Sequence, residues 1–147
     1  MLYEKLKEFF DSGWLMSTND EEEFLRLIYT STKGLTWSCY AQAADEDRVF
    51  IFYSVWPENV DEAMRPAMAD LLTRINYGIK IGNFEMDFND GEIRYKSSVF
   101  VEDGIWRDEL IRPNVFMNIG MFSQYAPALQ ALQAGTCGPE EAAAMVE

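Results

Sequence analysis

The 147-residue chain contains no histidine and only two cysteines. Without histidine it lacks the usual general base, the Ser-His-Asp and Cys-His arrangements, and the commonest metal ligand. Cys39 and Cys137 are far apart and form no CxxC motif, so neither a redox site nor a zinc site is indicated. Glycine-rich nucleotide-binding motifs are also missing. We therefore expect no catalytic residues, no cofactor and no metal ligand, and a protein that is not an enzyme.

Positive charge is scarce, with 12 Lys and Arg against 25 Asp and Glu and a net charge of −13. Binding to nucleic acid requires a basic stripe, and anionic membranes are disfavoured for the same reason. No apolar run approaches the ~20 residues that span a bilayer, and the first ten residues lack the apolar core of a signal peptide. We expect a cytoplasmic protein that binds neither nucleic acid nor membrane.

The hydrophobic content of 48% and the aromatic content of 14% predict one well-packed domain. We place that domain at residues 1–135. Residues 136–147, "TCGPEEAAAMVE", are expected to form a loosely held C-terminal tail, with a short final helix at most.

Apolar periodicity predicts an α+β fold with a single antiparallel sheet of about five strands and helices packed on it. The expected order is α-β-β-β-α-β-β-α. The segment "VFIFYSVW", residues 49–56, is the strongest strand and is apolar on both faces. Such a strand is either covered on both sides or leaves an apolar surface for a partner, and the sequence leaves both alternatives open.

The segment "NYGIKIGNFEMDFNDGEIRYKSS", residues 76–98, predicts a hairpin with Asp90 and Gly91 in a two-residue turn. This register pairs Asp87 with Arg94 and Glu85 with Lys96 across the strands. The charges then have a structural explanation and need not be an acid/base pair. The apolar face of this hairpin would hold Phe84, Met86, Phe88, Ile93 and Tyr95.

The last long element runs from Asp108 to about Gly135 and is apolar on several sides. A helix of this kind is buried from two directions. One direction is the sheet, and the other is a second subunit, another helix or a bound peptide. Pro127 is expected to kink or break it.

The string "LLTRINYGIKIGNFEMDFNDGEIRYKSSVFVEDG", followed by "DELI" and an apolar helix, resembles the bacterial YbjN-like family, described as sensory transduction regulators. The resemblance covers roughly residues 1–133. It implies a fold similar to that of type III secretion chaperones, which are small, acidic, dimeric proteins that hold protein clients. It supplies no catalytic residues, because helix termination, turn geometry and core packing explain the matching positions. These positions are Asn76, Gly78, Gly82, Phe84, Asp90 and Gly91.

The leading functional hypothesis is a non-catalytic protein-binding or regulatory module, chaperone-like and homodimeric. One alternative is a small-molecule sensor that binds its ligand in an apolar pocket. Another is an enzyme that uses two carboxyl groups with different pKa values. The residues predicted to contact a partner are Tyr40, Phe50, Phe52, Trp56, Met117 and Met121.

Overall fold

The structure is a computed structural model that describes residues 1–11 and 13–147. The elements are α1 (Leu2–Phe10), β1 (Leu15–Asn19), β2 (Phe24–Thr30), β3 (Thr36–Ala44), β4 (Val49–Val55), α2 (Arg65–Tyr77), β5 (Asn83–Met86), β6 (Ile93–Phe100), α3 (Asp108–Gln133) and α4 (Pro139–Ala144).

The strands form a single antiparallel sheet in the order β1-β2-β3-β4-β6-β5. This arrangement confirms the predicted α+β class and the single antiparallel sheet. The number of strands differs, because the sheet has six strands where about five were expected. The strand that the sequence did not reveal is β1, which pairs only with β2 and forms one edge.

An edge strand such as β1 leaves little trace in a sequence. Its residues "LMSTN" contain only two apolar side chains, and one of them, Leu15, is 72% exposed. Its pairing with β2 relies on backbone hydrogen bonds and does not require an alternating apolar pattern. The pattern-based reading therefore passed over this segment.

The helices pack on one face of the sheet. From β3 the side chains of Trp37, Cys39 and Ala41 are buried on that face, and from β4 those of Phe50 and Phe52. Helix α1 packs on β3, α3 packs on β4 and β6, and α2 packs on β5. The molecule thus has two layers, and its core lies between the sheet and the helices.

A buried polar cluster joins α3 to the centre of the sheet. The Asn118 side chain is completely buried, and its Nδ2 donates to the Phe52 carbonyl oxygen of β4 and to the Ser97 Oγ of β6, each at 2.9 Å. Its Oδ1 accepts a hydrogen bond from the Ser54 Oγ at 2.7 Å. Because one amide reaches both strands, it fixes the position of α3 along the sheet.

The β5–β6 hairpin differs from its predicted register by two residues. Glu85 pairs with Arg94, and the chain turns through the longer loop from Asp87 to Glu92. Gly91 does not lie at the tip of the turn, because its backbone packs against Val60. At its φ of +79°, an added Cβ would lie 2.2 Å from the Val60 carbonyl oxygen.

A shift by two residues keeps each side chain on its own face. Phe84, Ile93 and Tyr95 therefore remain buried, as the sequence predicted. Phe88 leaves the predicted apolar face, because it now lies in the loop and is 56% exposed.

The C-terminal part differs from the sequence-based expectations in two ways. Helix α3 is not broken at Pro127, since the loss of one backbone hydrogen bond there is outweighed by a buried face that continues to Leu132. The segment predicted as a loosely held tail contains α4, which packs against α2 and α3 with Ala142 and Ala143 buried.

We expect the substitution Asn118→Leu to lower the free energy of unfolding by about 1–3 kcal/mol, because the buried Ser54 hydroxyl loses its acceptor. Urea denaturation measures this loss. Adding Ser54→Ala should recover part of it, since both partners are then apolar.

The matched control is Gln124→Leu, which places the same side chain on the exposed side of the same helix. It should change the free energy of unfolding by less than about 0.5 kcal/mol. An Asn118→Leu protein as stable as this control would contradict the anchoring role.

Candidate functional site

The second face of the sheet, here called the open face, carries none of the buried side chains. Its residues on β2, β3, β4 and β6 are half-buried or exposed, and they include three aromatic rings near the centre. The central residues are Phe24, Arg26, Ile28, Ser38, Tyr40, Gln42, Ile51, Tyr53, Val55, Arg94 and Lys96.

The open face follows directly from the side-chain period of β4. Successive residues of a strand point to opposite sides. With Phe50 and Phe52 beneath the helices, Ile51, Tyr53 and Val55 must point away from them. The apolar character that the sequence shows on both sides of this strand is therefore real, but only one side is covered.

One row of cross-strand neighbours passes through the centre of the open face. Arg26 pairs with Tyr40, Tyr40 with Tyr53, and Tyr53 with Lys96. The row reads cation, tyrosine, tyrosine, cation. We call it the tyrosine row.

Neighbouring contacts hold the rings and cations of this row in place. The Phe24 ring lies 5.9 Å from the Tyr40 ring, and the Arg94 guanidinium lies 4.3 Å from the centre of the Tyr53 ring. Arg26 donates from Nη2 to the Ser38 Oγ at 2.9 Å. These contacts restrict the rotamers available to the two tyrosine side chains.

A carboxylate at the β5 edge organises two cations of the open face. Glu85 lies 2.5 Å from the Arg94 Nε and 3.2 Å from the Lys96 Nζ. Partial burial acts to raise the pKa of Glu85, but the hydrogen bonds and charges of Arg94 and Lys96 outweigh it, so that pKa lies below the usual value for glutamate.

A shallow depression of about 290 Å³ lies over the same face. Its lining combines aromatic, aliphatic and charged groups, and the guanidinium of Arg94 provides a positive charge at one side. The lining residues are Phe24, Tyr40, Gln42, Tyr53, Val55, Glu92 and Arg94.

A second exposed apolar surface lies on the outer side of α3, and we call it the α3 stripe. Leu110, Phe116 and Met117 are 45%, 50% and 41% exposed, and Met121 is half-buried. The Trp14 ring packs 6.5 Å from the Phe116 ring at the border of this stripe. Leu110, Met117 and Met121 are the second apolar side of α3 that the sequence indicated, and Phe116 extends it.

The six residues predicted to contact a partner lie in three different places. Tyr40 is on the open face, and Met117 and Met121 are on the α3 stripe. The other three, Phe50, Phe52 and Trp56, lie in the core and are at most 5% exposed.

The burial of these three aromatics has a clear physical origin. Phe52 stacks on Phe10 of α1 with ring centres 6.0 Å apart, and the Trp56 Nε1 donates to the Gln133 Oε1 of α3 at 2.7 Å. A partner cannot reach these side chains in this structure, because the helices cover them. The sequence identified the two faces of β4 but did not indicate which one the helices would cover.

Tyr53 and Arg94 belong to the open face and were missed as candidate contact residues. Tyr53 alternates with Phe50 and Phe52 along β4. Its place on the uncovered face could therefore be predicted once the covered face was known. Arg94 was assigned only to a charge pair of the hairpin. Its position over the Tyr53 ring depends on β4–β6 pairing, which joins segments far apart in the chain.

Cys39 behaves as the buried apolar residue that the sequence indicated. Burial raises the pKa of its thiol to about 12, so the thiolate nucleophile does not form near neutral pH. In residues 1–11 and 13–147, no group of three or more His, Cys, Asp and Glu side chains is placed to hold a metal ion. Over the same residues, no helix is both long enough and apolar enough to cross a membrane.

No family model and no curated protein matches the sequence. The arrangement of one open antiparallel sheet with helices on one side is a YbjN-like α+β fold, which confirms the resemblance to YbjN at the level of the fold. A similar solved structure is the crystal structure of YbjN, "a putative transcription regulator from E. coli". It has a TM-score of 0.55 and 15% sequence identity, and the match covers 81% of this chain and 86% of that chain. At this identity the likeness establishes the fold alone.

We expect Glu85→Gln to destabilise the protein more near pH 7 than at about pH 3. A carboxyl group whose pKa is lowered by folding contributes stability above its unfolded pKa of about 4.3. That contribution disappears as the pH falls through the lower folded value. Urea denaturation of both proteins at the two pH values measures the difference, and an equal loss at both would contradict the ion-pair assignment.

Proposed function

We propose that this chain is a non-catalytic protein-binding or regulatory module and that the open face contacts the partner. The observation that carries the proposal is the tyrosine row, which leaves ordered aromatic side chains on a sheet face with no covering layer. Tyrosine and arginine are among the residue types most enriched at the positions that contribute most of the binding free energy in protein interfaces.

The rigidity of the open face adds to its value as a contact surface. Tyr40 and Tyr53 belong to the central strands of the sheet, and Arg94 and Phe24 flank their rings. A surface that is already ordered loses little conformational entropy on binding. The regulatory role ascribed to E. coli YbjN agrees with this proposal, but a shared fold does not by itself transfer a function.

The experiment compares proteins captured by the wild type with those captured by a Tyr40→Ala/Tyr53→Ala variant. We expect capture of specific partners to fall at least about tenfold, because two central anchors are removed. The readout is quantitative mass spectrometry, followed by affinity measurement on each purified partner. Thermal denaturation of the variant establishes that it remains folded.

The matched control is Tyr77→Ala, which truncates a tyrosine that is 97% exposed at the end of α2, in the helical layer and outside the open face. It should capture the same partners as the wild type. If the double variant retains all partners of the wild type, the open face is not the contact surface.

We further propose that the chain forms a homodimer through the α3 stripe. Leu110, Phe116, Met117 and Met121 form an apolar surface on an exposed helix, and methionine adapts easily to a packed interface. The stripe and the open face lie on different layers of the molecule. A dimer built on the stripe would therefore leave the open face of each copy available.

Met117→Glu tests this assembly, since a charge at the centre of the stripe cannot be buried against a second copy without a large cost. Light scattering after gel filtration should show a dimer for the wild type and a monomer for Met117→Glu. Gln130→Glu, which adds the same charge at an exposed position of α3 about 140° around the helix from Met117, should remain dimeric. A monomeric wild type would overturn the proposed dimer.

A small-molecule sensor is the second candidate function, and the depression around Tyr40 and Arg94 is the observation that favours it. Its guanidinium and aromatic lining suit a small anion with an apolar or aromatic body. A ligand of this kind raises the melting temperature by an amount that grows with the logarithm of its concentration above Kd, whereas a protein partner is retained by affinity capture.

A further inference from the structure

The open face has a charge balance opposite to that of the whole chain. It carries three basic residues, Arg26, Arg94 and Lys96, against two acidic residues, Glu85 on β5 and Glu92, which precedes β6 and lines the depression. The chain as a whole has about twice as many acidic as basic residues. A partner of the open face therefore meets a local positive field on an otherwise negative protein.

The distance between the two cations of the tyrosine row determines how far apart the carboxylates of such a partner must be. Arg26 on β2 and Lys96 on β6 are separated by three strand spacings, with Tyr40 and Tyr53 between them. At about 4.8 Å per spacing, the two cationic positions are about 14 Å apart at the backbone.

An extended peptide has a matching spacing. Its side chains at positions i, i+2 and i+4 point to the same side, and four residues span about 13–14 Å. Carboxylates at i and i+4 can therefore reach Arg26 and Lys96 while the side chain at i+2 lies over the two tyrosine rings.

We propose that the open face binds an extended peptide segment of a partner protein, with carboxylates at i and i+4 and an aromatic or large apolar side chain at i+2. The segment crosses the strands of the sheet along the tyrosine row. This inference rests on the proposed protein-binding function and specifies the chemistry of the partner.

The cations at the two ends of the row retain hydrogen-bonding capacity for this purpose. Arg26 uses one nitrogen on the neutral Ser38 hydroxyl, and a guanidinium has five N–H donors. Lys96 has three donors and lies near the Oε2 of Glu85, whereas Arg94 binds the Oε1 of the same carboxylate. Ligand carboxylates would thus gain charge-assisted hydrogen bonds at both ends.

Charge also argues against two other occupants. Two copies of the open face packed together would bring cations against cations. A nucleic acid would meet the acidic turns at residues 20–23 and 45–47, which lie at the same end of the sheet and repel a continuous polyanion. A peptide with two separated carboxylates avoids both conflicts.

The test uses two fluorescein-labelled peptides, Ser-Glu-Ser-Trp-Ser-Glu-Ser and the same sequence with Gln at both Glu positions. Fluorescence anisotropy with the full chain, titrated to about 1 mM, measures their affinities. We expect the Glu peptide to bind at least tenfold more tightly than the Gln peptide. Arg26→Gln and Lys96→Gln should each weaken the Glu peptide at least fivefold and leave the Gln peptide unchanged.

Lys33→Gln is the matched control, because it removes one positive charge from the β2–β3 turn outside the open face. It should bind both peptides as the wild type does. Equal affinity for the two peptides, or no binding of either, overturns the inference. So does tighter binding of a labelled oligothymidylate than of the Glu peptide.

These results are distinguishable from failure of the proposed function. If the Tyr40→Ala/Tyr53→Ala variant loses captured proteins while the Glu and Gln peptides bind equally, the open face still binds protein but does not select carboxylates. If the double variant loses no captured protein, the proposed contact surface itself is wrong.

Discussion

The two-residue period of β4 is the constraint on which the rest of the structure depends. Phe50 and Phe52 are completely buried beneath the helices, and Ile51 and Tyr53 must then lie on the opposite side. Strands β3 and β6 pair with β4 over most of its length, so the same division extends across the sheet. The composition of the open face is therefore fixed by the packing of the core.

The buried amide of Asn118 adds positional precision to this division. Apolar contacts between a helix and a sheet tolerate small slides, whereas hydrogen bonds to a carbonyl of β4 and a hydroxyl of β6 do not. The hydroxyls of Ser54 and Ser97 complete the cluster within an otherwise apolar layer. Polar groups in the core thus specify where α3 lies, while apolar burial supplies most of the stabilising free energy.

Patterns with a strong period were sufficient to predict much of the fold. The strand at residues 49–56 and the long helix from Asp108 were both predicted, and each has a buried face in the structure. The edge strand β1 was missed because it pairs with β2 alone, and this backbone pairing does not require apolar residues at alternate positions. The hairpin register was wrong by two residues because the contact of Gly91 with Val60 overrides the local turn preference.

The candidate site was only partly accessible from sequence for a related reason. The two-residue period of a strand shows which side chains share a face, but it does not show which face the helices cover. Tyr40 was selected and lies on the open face, whereas Phe50 and Phe52 were selected and lie in the core. The tyrosine row joins residues of four strands, and a single sequence contains no signal for that juxtaposition.

The short outermost strand β1 also affects how the protein behaves in concentrated solution. Its unpaired backbone groups offer a template on which another chain could extend the sheet into an intermolecular ribbon. The adjoining run Asp20–Glu23 places four carboxylates beside that template, and two copies would have to bring these charges together. Acidification or high salt weakens this repulsion, so storage near neutral pH at low ionic strength should best preserve the dispersed protein.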